Sequence, residues 1–397
     1  MFDSLDQAGA KFPATSIEKH GVQVVIQASE IRAGFIGTLT ADALTGTWSQ
    51  GGMRTPLAFH REARAVSQAR PQEPKPPFPY RSINVTVPST GGIRLAGTLT
   101  VPPGRGPFPA AILIAGSGPN ARNEDAFGHK IFLVLADALT RHGLAVLRMD
   151  KRGIGQSGGN YATATMADYA QDVAADFAFL RKRNGIDPHK IGLIGHSEGG
   201  EIAPMVAANH PQIAFVVILA GPAMPGTDIV VDQIRALATA RGVPPARVAR
   251  AAQLERIYVQ AIASAPTLNA APGAVRAAVA AGKLPRAILK HPRITSEYYG
   301  VLRFDPEPYL RRLRCPVLAL NGSKDTQVPA AVNVPALRAA LKNDPHATVV
   351  ELPGLNHLFQ PAKTGLPSEY ASIALTFSPA ALQRIERWLA SVVGTKP

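Results

Sequence analysis

Cysteine is almost missing from this chain: Cys315 is the only one in 397 residues, so no intramolecular disulfide can form and nothing marks an oxidising compartment. It precedes Pro316 at the head of an apolar run, with no histidine near it in sequence, and reads as a buried structural thiol rather than a nucleophile. No run of about 18 apolar residues occurs, which excludes a spanning helix and any stable membrane insertion. The first residues, MFDSLDQAGAKFPATS, lack the basic start and apolar core of an export signal. A cytoplasmic location is expected on that ground, and a periplasmic or secreted one if the chain is a mature or truncated form. Clustered charge of one sign is missing too. Lys and Arg number 42 against 28 Asp and Glu, a formal charge of +14, yet no basic tract exceeds Arg181-Lys182-Arg183. The basic residues describe a solvated surface, and no nucleic acid partner is expected.

What is present is ordinary globular material, 46% apolar, long enough for two or three compact units. Residues 1–66 carry strand signals at Val22–Ile26, Phe35–Leu39 and Leu57–His60, with turns expected around Gly46–Gly52: a small β-meander whose open edges make a homodimer a candidate state. Residues 67–80 contain RPQEPKPPFPY and read as a stiff linker without ordered contacts of its own. From 81 to 220 and again from 305 to 397, strands alternate with helices. A hairpin (82–87 and 94–101), apolar strands at 110–115, 144–149, 191–195, 214–220, 317–321 and 348–352, and a helix at 165–183 opened by a Thr165/Asp168 capping pair all fit a doubly wound sheet, mostly parallel with an antiparallel start. Residues 221–304 interrupt the alternation with helical periodicity alone, at 228–240, 245–263 and 272–281. Ligands bind outside the carboxyl ends of parallel strands, so an insert there is placed to serve as a helical cap.

The chemistry concentrates on Gly195-His196-Ser197-Glu198-Gly199, a G-x-S-x-G between a strand and a helix. In that context the serine stands on a strained turn with its hydroxyl in the cleft, a nucleophile elbow. Ser197 then needs a base, and the base needs an orienting carboxylate. Asp325, in NGSKDTQVP, follows one strand; His357, in LPGLNHL, follows the next. Alone, each is more often a turn or surface residue. In the order Ser197, Asp325, His357, each after a strand, they form the set an α/β-hydrolase uses. The oxyanion hole calls for two backbone donors, Glu198 after the nucleophile and Ser117 after the 110–115 strand. Gly116-Ser117-Gly118-Pro119 lacks the Lys-Ser/Thr of a P-loop and the third glycine of a dinucleotide fingerprint, so phosphate binding is the weaker reading. His196 is expected to pack beneath the turn, and Asp150–Ser157 to act as scaffold for the cleft.

Five motifs in order, GSGPNARNE, MDKRGIGQSGG, GHSEGG, LNGSKDTQVP and GLNH, resemble those of bacterial serine carboxylesterases of the α/β-hydrolase superfamily, over about residues 80 to 397. GTWSQGG looks like the end of a β-domain that precedes such enzymes, where relatives carry further strands and often an export signal. The resemblance implies an α/β-hydrolase fold with a helical cap and a small N-terminal β-domain. It also implies a serine esterase cleaving small carboxylic esters with short acyl chains through an acyl-enzyme on Ser197, needing no metal or organic cofactor. The same triad serves peptidases, amidases and thioesterases, which stay open as alternatives. A third reading, a non-catalytic lipid- or glycan-binding protein on a hydrolase scaffold, has the complete triad against it.

Overall fold

Eight strands, the last six of them alternating with helices along the chain, join in a single sheet in the computed structural model, which describes residues 2–4, 10–12, 14–28, 33–50, 53–60, 70–290 and 294–395. They are β1 (Arg81–Pro88), β2 (Arg94–Val101), β3 (Phe108–Ile114), β4 (Ala145–Met149), β5 (Ile186–His196), β6 (Val216–Leu219), β7 (Val317–Gly322) and β8 (Ala347–Leu352). Their spatial order is 8-7-6-5-3-4-2-1. Strands β3 to β8 pair in parallel, while β2 runs antiparallel to both β1 and β4.

Parallel strands need crossovers, and the intervening helices supply them on both faces. Period-two alternation in β3 sends Ala110, Ile112 and Ile114 into one core and Ala111 and Leu113 into the other. The first core is closed by α2 (Met166–Arg181) and α3 (Gly199–Ala207), the second by α1 (Ile131–Arg141) and the last helix, Pro379–Val393. Helix α2 starts as its sequence requires: the Thr165 hydroxyl accepts from the Asp168 amide, and the Asp168 carboxylate accepts from the Thr165 amide. Met166, Tyr169, Val173, Phe177 and Leu180 are all buried along its inner face. Between β6 and β7 lie α4 (Gly226–Ala240), α5 (Pro245–Ala263), α6 (Ala271–Ala280), α7 (Ser296–Arg303) and α8 (Glu307–Leu310). Among the described residues no helix is long and apolar enough to cross a membrane.

Two expectations need correction. The chain divides into two compact units, Met1–Ala69 with Pro285–Arg293, and Arg70–Leu284 with Ile294–Pro397. The 221–304 insert is therefore not one body, since its Pro285–Arg293 stretch groups with the first unit. Nor do residues 67–80 form a linker without contacts. Residues 67–69 lie outside the described residues. From Arg70 onward the segment is tied down within the second unit: the Arg70 guanidinium donates to the carbonyls of Gly128 (3.2 Å), Ala371 (2.9 Å) and Ile373. Gln72 bonds Thr376 and Phe377, Lys130 pairs with Glu73, and the Tyr80 hydroxyl donates to Asp137. Proline fixes φ but leaves its polar neighbours free to satisfy exposed carbonyls.

In the first unit, strands Ser16–His20, Gln23–Ala28, Ala33–Leu39, Ala43–Gln50 and Met53–His60 form an antiparallel meander around the fully buried Phe35. The turn expected from Gly46 is instead strand through Gln50; Gly51 and Gly52 lie outside the described residues. A Cβ on Gly46 would stand 2.1 Å from the Ile36 carbonyl oxygen, so this glycine permits close cross-strand approach rather than a reversal.

Candidate active site

Ser197 joins β5 to α3 with φ +54°, a left-handed conformation rare for a residue with a side chain. The neighbouring glycines make this turn sterically possible. A Cβ on Gly195 would lie 1.9 Å from the Gly199 carbonyl oxygen, and one on Gly199 would lie 2.0 Å from that of Ile114. The turn is pinned by the Ser197 amide, which donates to Leu219 on β6 (2.9 Å), and by the Ser197 carbonyl, which accepts from Gly200. The result is a half-buried serine held at the carboxyl end of the sheet with its hydroxyl free of any protein partner among the described residues.

Asp325 and His357 sit on the loops that leave β7 and β8, and the fold brings them together: His357 Nδ1 lies 2.8 Å from Asp325 Oδ2. A carboxylate only accepts, so Nδ1 is the donor in this bond and Nε2 is the ring nitrogen left for other partners. Asp325 is itself fixed. Its Oδ1 accepts from the Gln327 and Val328 amides at 2.8 Å, and Asn321 Nδ2 approaches Oδ2 at 3.3 Å. Behind it, Asn321 bonds Asn333, which bonds the backbone of Gly221 and Ala223. The His357 loop is shaped by the fully buried Asn356, whose Oδ1 accepts from the Leu358 and Gln360 amides.

The loop after β3 presents three consecutive amides. Gly116 N–H donates to Glu124 (2.6 Å) and Gly118 N–H donates to Glu297 on α7 (2.9 Å), whereas Ser117 N–H has no protein acceptor among the described residues. The Glu198 amide is likewise unpartnered. A phosphate cradle would need a row of free amides, and this loop leaves one between two carboxylates. A Cβ on Gly116 would lie 3.0 Å from that of Ser197, so the loop runs directly against the serine.

The Glu198 side chain is turned inward, 3% exposed, with Oε2 on Lys151 Nζ at 2.8 Å. Burial raises its carboxyl pKa; Lys151 opposes this and Glu297 adds to it. Lys151 also lies over the Tyr169 ring and 3.8 Å from Glu297, which accepts from the Tyr161 hydroxyl. Sequence reading did not single out Lys151, Tyr161, Glu124 or Glu297. For Lys151 a signal existed, its place just after β4; for the others the partner is set by tertiary packing alone.

The rest of the Asp150–Ser157 segment is scaffold: the Asp150 carboxylate takes the Arg122 guanidinium and the Gln156 amide, and Ser157 Oγ bridges Asp150 and Ala96. His196 is buried beneath the turn, between Glu124 and the His357 carbonyl. Burial pushes the Cys315 thiol up to about 11, the reverse of an activated nucleophile. Among the described residues no group of three or more His, Cys, Asp and Glu is arranged to hold a metal ion. A groove of about 660 Å³ between Val87 and Phe179 contains none of the residues above, so volume alone does not locate this site.

Comparison with known proteins agrees with the fold. Esterase EstD of Thermotoga maritima is 28% identical over 238 residues, 59% of this chain and 50% of EstD, so the match spans half that relative's length. The monoacylglycerol lipase of Mycolicibacterium smegmatis is 27% identical over 216 residues, 54% of this chain and 71% of the lipase. Among solved structures, Est1E from Butyrivibrio proteoclasticus with ferulic acid bound superposes with a TM-score of 0.50 at 17% identity, covering 78% of this chain and 100% of Est1E. Hypothetical protein PA2218 from Pseudomonas aeruginosa gives 0.52 at 17% identity, covering 79% and 94%. At such identities the likeness shows the α/β-hydrolase fold alone. The family model for serine aminopeptidase, S33, matches residues 129–360, more than half of the chain, and the chain belongs to that family of α/β-hydrolases.

Proposed function

We propose that this protein is a serine hydrolase of small carboxylic esters, with Ser197 as nucleophile, His357 as base and Asp325 as its orienting carboxylate. The observation that carries the reading is the 2.8 Å His357–Asp325 bond on loops adjoining a serine at φ +54°, beside two unpartnered amides. In the reaction, His357 Nε2 takes the Ser197 proton as Oγ attacks the ester carbonyl, and the Ser117 and Glu198 amides hold the oxyanion. Collapse expels the alcohol, protonated by His357. Water, deprotonated by the same imidazole, then releases the acid. The helices between β6 and β7 act as a cap, reaching the oxyanion loop through Glu297.

The names of EstD and the monoacylglycerol lipase favour esters; the family's description favours an aminopeptidase, the second reading. A fluorophosphonate probe tests the nucleophile. Labelling is expected in the wild type and in a surface control, Ser391→Ala, and is expected to vanish in Ser197→Ala together with at least about 10³-fold of turnover. Unchanged labelling in Ser197→Ala would sink the proposal. Rates on short-chain p-nitrophenyl esters against aminoacyl anilides separate the two readings, a higher kcat/KM on anilides deciding for the aminopeptidase.

A further inference from the structure

The acyl-transfer reading leaves one buried ionisable pair unused. Glu124 and His196 are each 3% exposed and lie against all three loops that carry the proposed chemistry. His196 Nδ1 is 2.9 Å from Glu124 Oε1, and His196 Nε2 is 3.0 Å from the His357 carbonyl oxygen. The same Glu124 oxygen accepts the Gly116 amide at 2.6 Å. The two histidine rings lie 4.9 Å apart, centroid to centroid.

The partners of this pair favour one protonation state. A carbonyl oxygen only accepts, so His196 Nε2 carries a hydrogen. Glu124 Oε1 already accepts a short bond from Gly116, so a lone pair on Nδ1 would face an acceptor. The neutral alternative places a proton on Oε1, which would weaken its acceptance from the Gly116 amide. Both ring nitrogens thus face acceptors, the arrangement that suits a cationic imidazole beside a carboxylate. Burial works against that charge, while Glu124 and the His357 carbonyl outweigh it and hold the His196 pKa above the ordinary histidine value.

On this reading of the site, we infer that Glu124 and His196 form a second, buried ion pair whose task is to hold the oxyanion loop, the nucleophile turn and the base loop in mutual register. Both are positioning residues. Each contact ends on or one residue from a reacting group: Gly116 precedes Ser117, His196 precedes Ser197, and the third partner is the backbone of His357 itself. The bonds are charge-assisted, roughly twice as strong as neutral ones, and suited to holding separate loops against each other. As a stabilising device the pair is poor. Glu124 sits at φ +50° and its Oε2 is buried with no protein partner, costs that an apolar knot would avoid. Such costs are expected where geometry matters more than stability.

The test uses Glu124→Gln and His196→Gln in the full chain, with fluorophosphonate titration giving the number of competent sites. The expected result is a fall of about tenfold or more in kcat per labelled site, with KM within about twofold. Affinity for a trifluoromethyl ketone, which binds as the tetrahedral adduct, should fall in step with kcat/KM. A merely structural role would lower the number of labelled sites and Tm while leaving kcat per labelled site unchanged, and that result overturns the inference. Should both variants fail to fold, the wild type decides. Nitrogen NMR of 15N-histidine protein is expected to show both His196 nitrogens still protonated at a pH where exposed histidines have become neutral, and a His196 ring that loses its proton together with them overturns the ion pair. A wild type that does not label at Ser197 refutes the acyl-enzyme reading instead, so the two failures are distinct.

Discussion

Asp176 is fully enclosed on the inner side of α2, its Oδ1 without a protein partner, beside a cavity of about 50 Å³ that Asp172 and Tyr169 also line. Burial pushes its carboxyl pKa well above the usual range, and the nearby Asp172 adds to the shift. An acid whose folded pKa lies above its unfolded value keeps its full stability below the unfolded pKa and loses it as pH rises toward the folded value. Asp176→Asn removes that loss. The variant is expected to melt near the wild-type temperature at about pH 4 and above it at about pH 8, with the difference growing across the interval. Melting curves by circular dichroism at several pH values check this; a difference independent of pH would mean that Asp176 is not held protonated. Glu201, buried on α3 with Oε1 unpartnered and its pKa also raised well above normal by burial, should behave alike as Glu201→Gln.

Among the elements, α7 connects the helical insert to the loops that leave β3 and β4. Thr295 caps it, and two residues later the Glu297 carboxylate takes the Gly118 amide and the Tyr161 hydroxyl, with Lys151 close by. Removing that carboxylate in Glu297→Ala frees the amide next to Ser117 and leaves Lys151 to Glu198 alone. A loop displaced by about 1 Å near reacting atoms can cost about 10²-fold, so a fall in kcat/KM of about ten- to a hundredfold is expected, with labelling at Ser197 slowed by a similar factor. Steady-state kinetics with a p-nitrophenyl ester measures it, and unaltered kinetics would remove α7 from the site. The insert also shows where sequence reading runs out. Periodicity placed α4, α5 and α6 within a few residues because an amphipathic face is a local pattern. The contact that ties the insert to the loop after β3 joins residues 179 positions apart, and nothing in the pattern around Glu297 distinguishes it from other surface carboxylates. The same holds for Glu124, whose role depends on a histidine 72 residues downstream.

At the scale of the whole molecule, the sheet was legible because most of its parallel strands are apolar runs ended by a glycine- or polar-rich loop, and because Ser197, Asp325 and His357 each follow a strand of that set. The boundary before the sheet was not legible, since proline-rich composition describes backbone stiffness and says nothing of what the side chains between the prolines bind. Arg70, Gln72 and Glu73 occupy carbonyls, amides and an ammonium group on segments 127–130 and 371–377, and Tyr80 reaches Asp137 on α1. This predicts an asymmetry between two truncations. A chain starting at Arg70 keeps these bonds; one starting at Arg81 leaves the carbonyls of Ala371, Ile373 and Phe377 without their donors. With each hydrogen bond worth about 1 kcal/mol and those from a charged guanidinium more, the shorter chain should lose about 3 kcal/mol or more. Its melting temperature should fall by about 5 °C or more relative to the chain from Arg70, the scale of such a loss in a domain of this size or larger. Because the loss acts through the 371–377 segment and not through the β5 turn, fluorophosphonate labelling at Ser197 should persist in both chains well below their transitions. Equal melting temperatures would return residues 70–80 to the status of a passive connector.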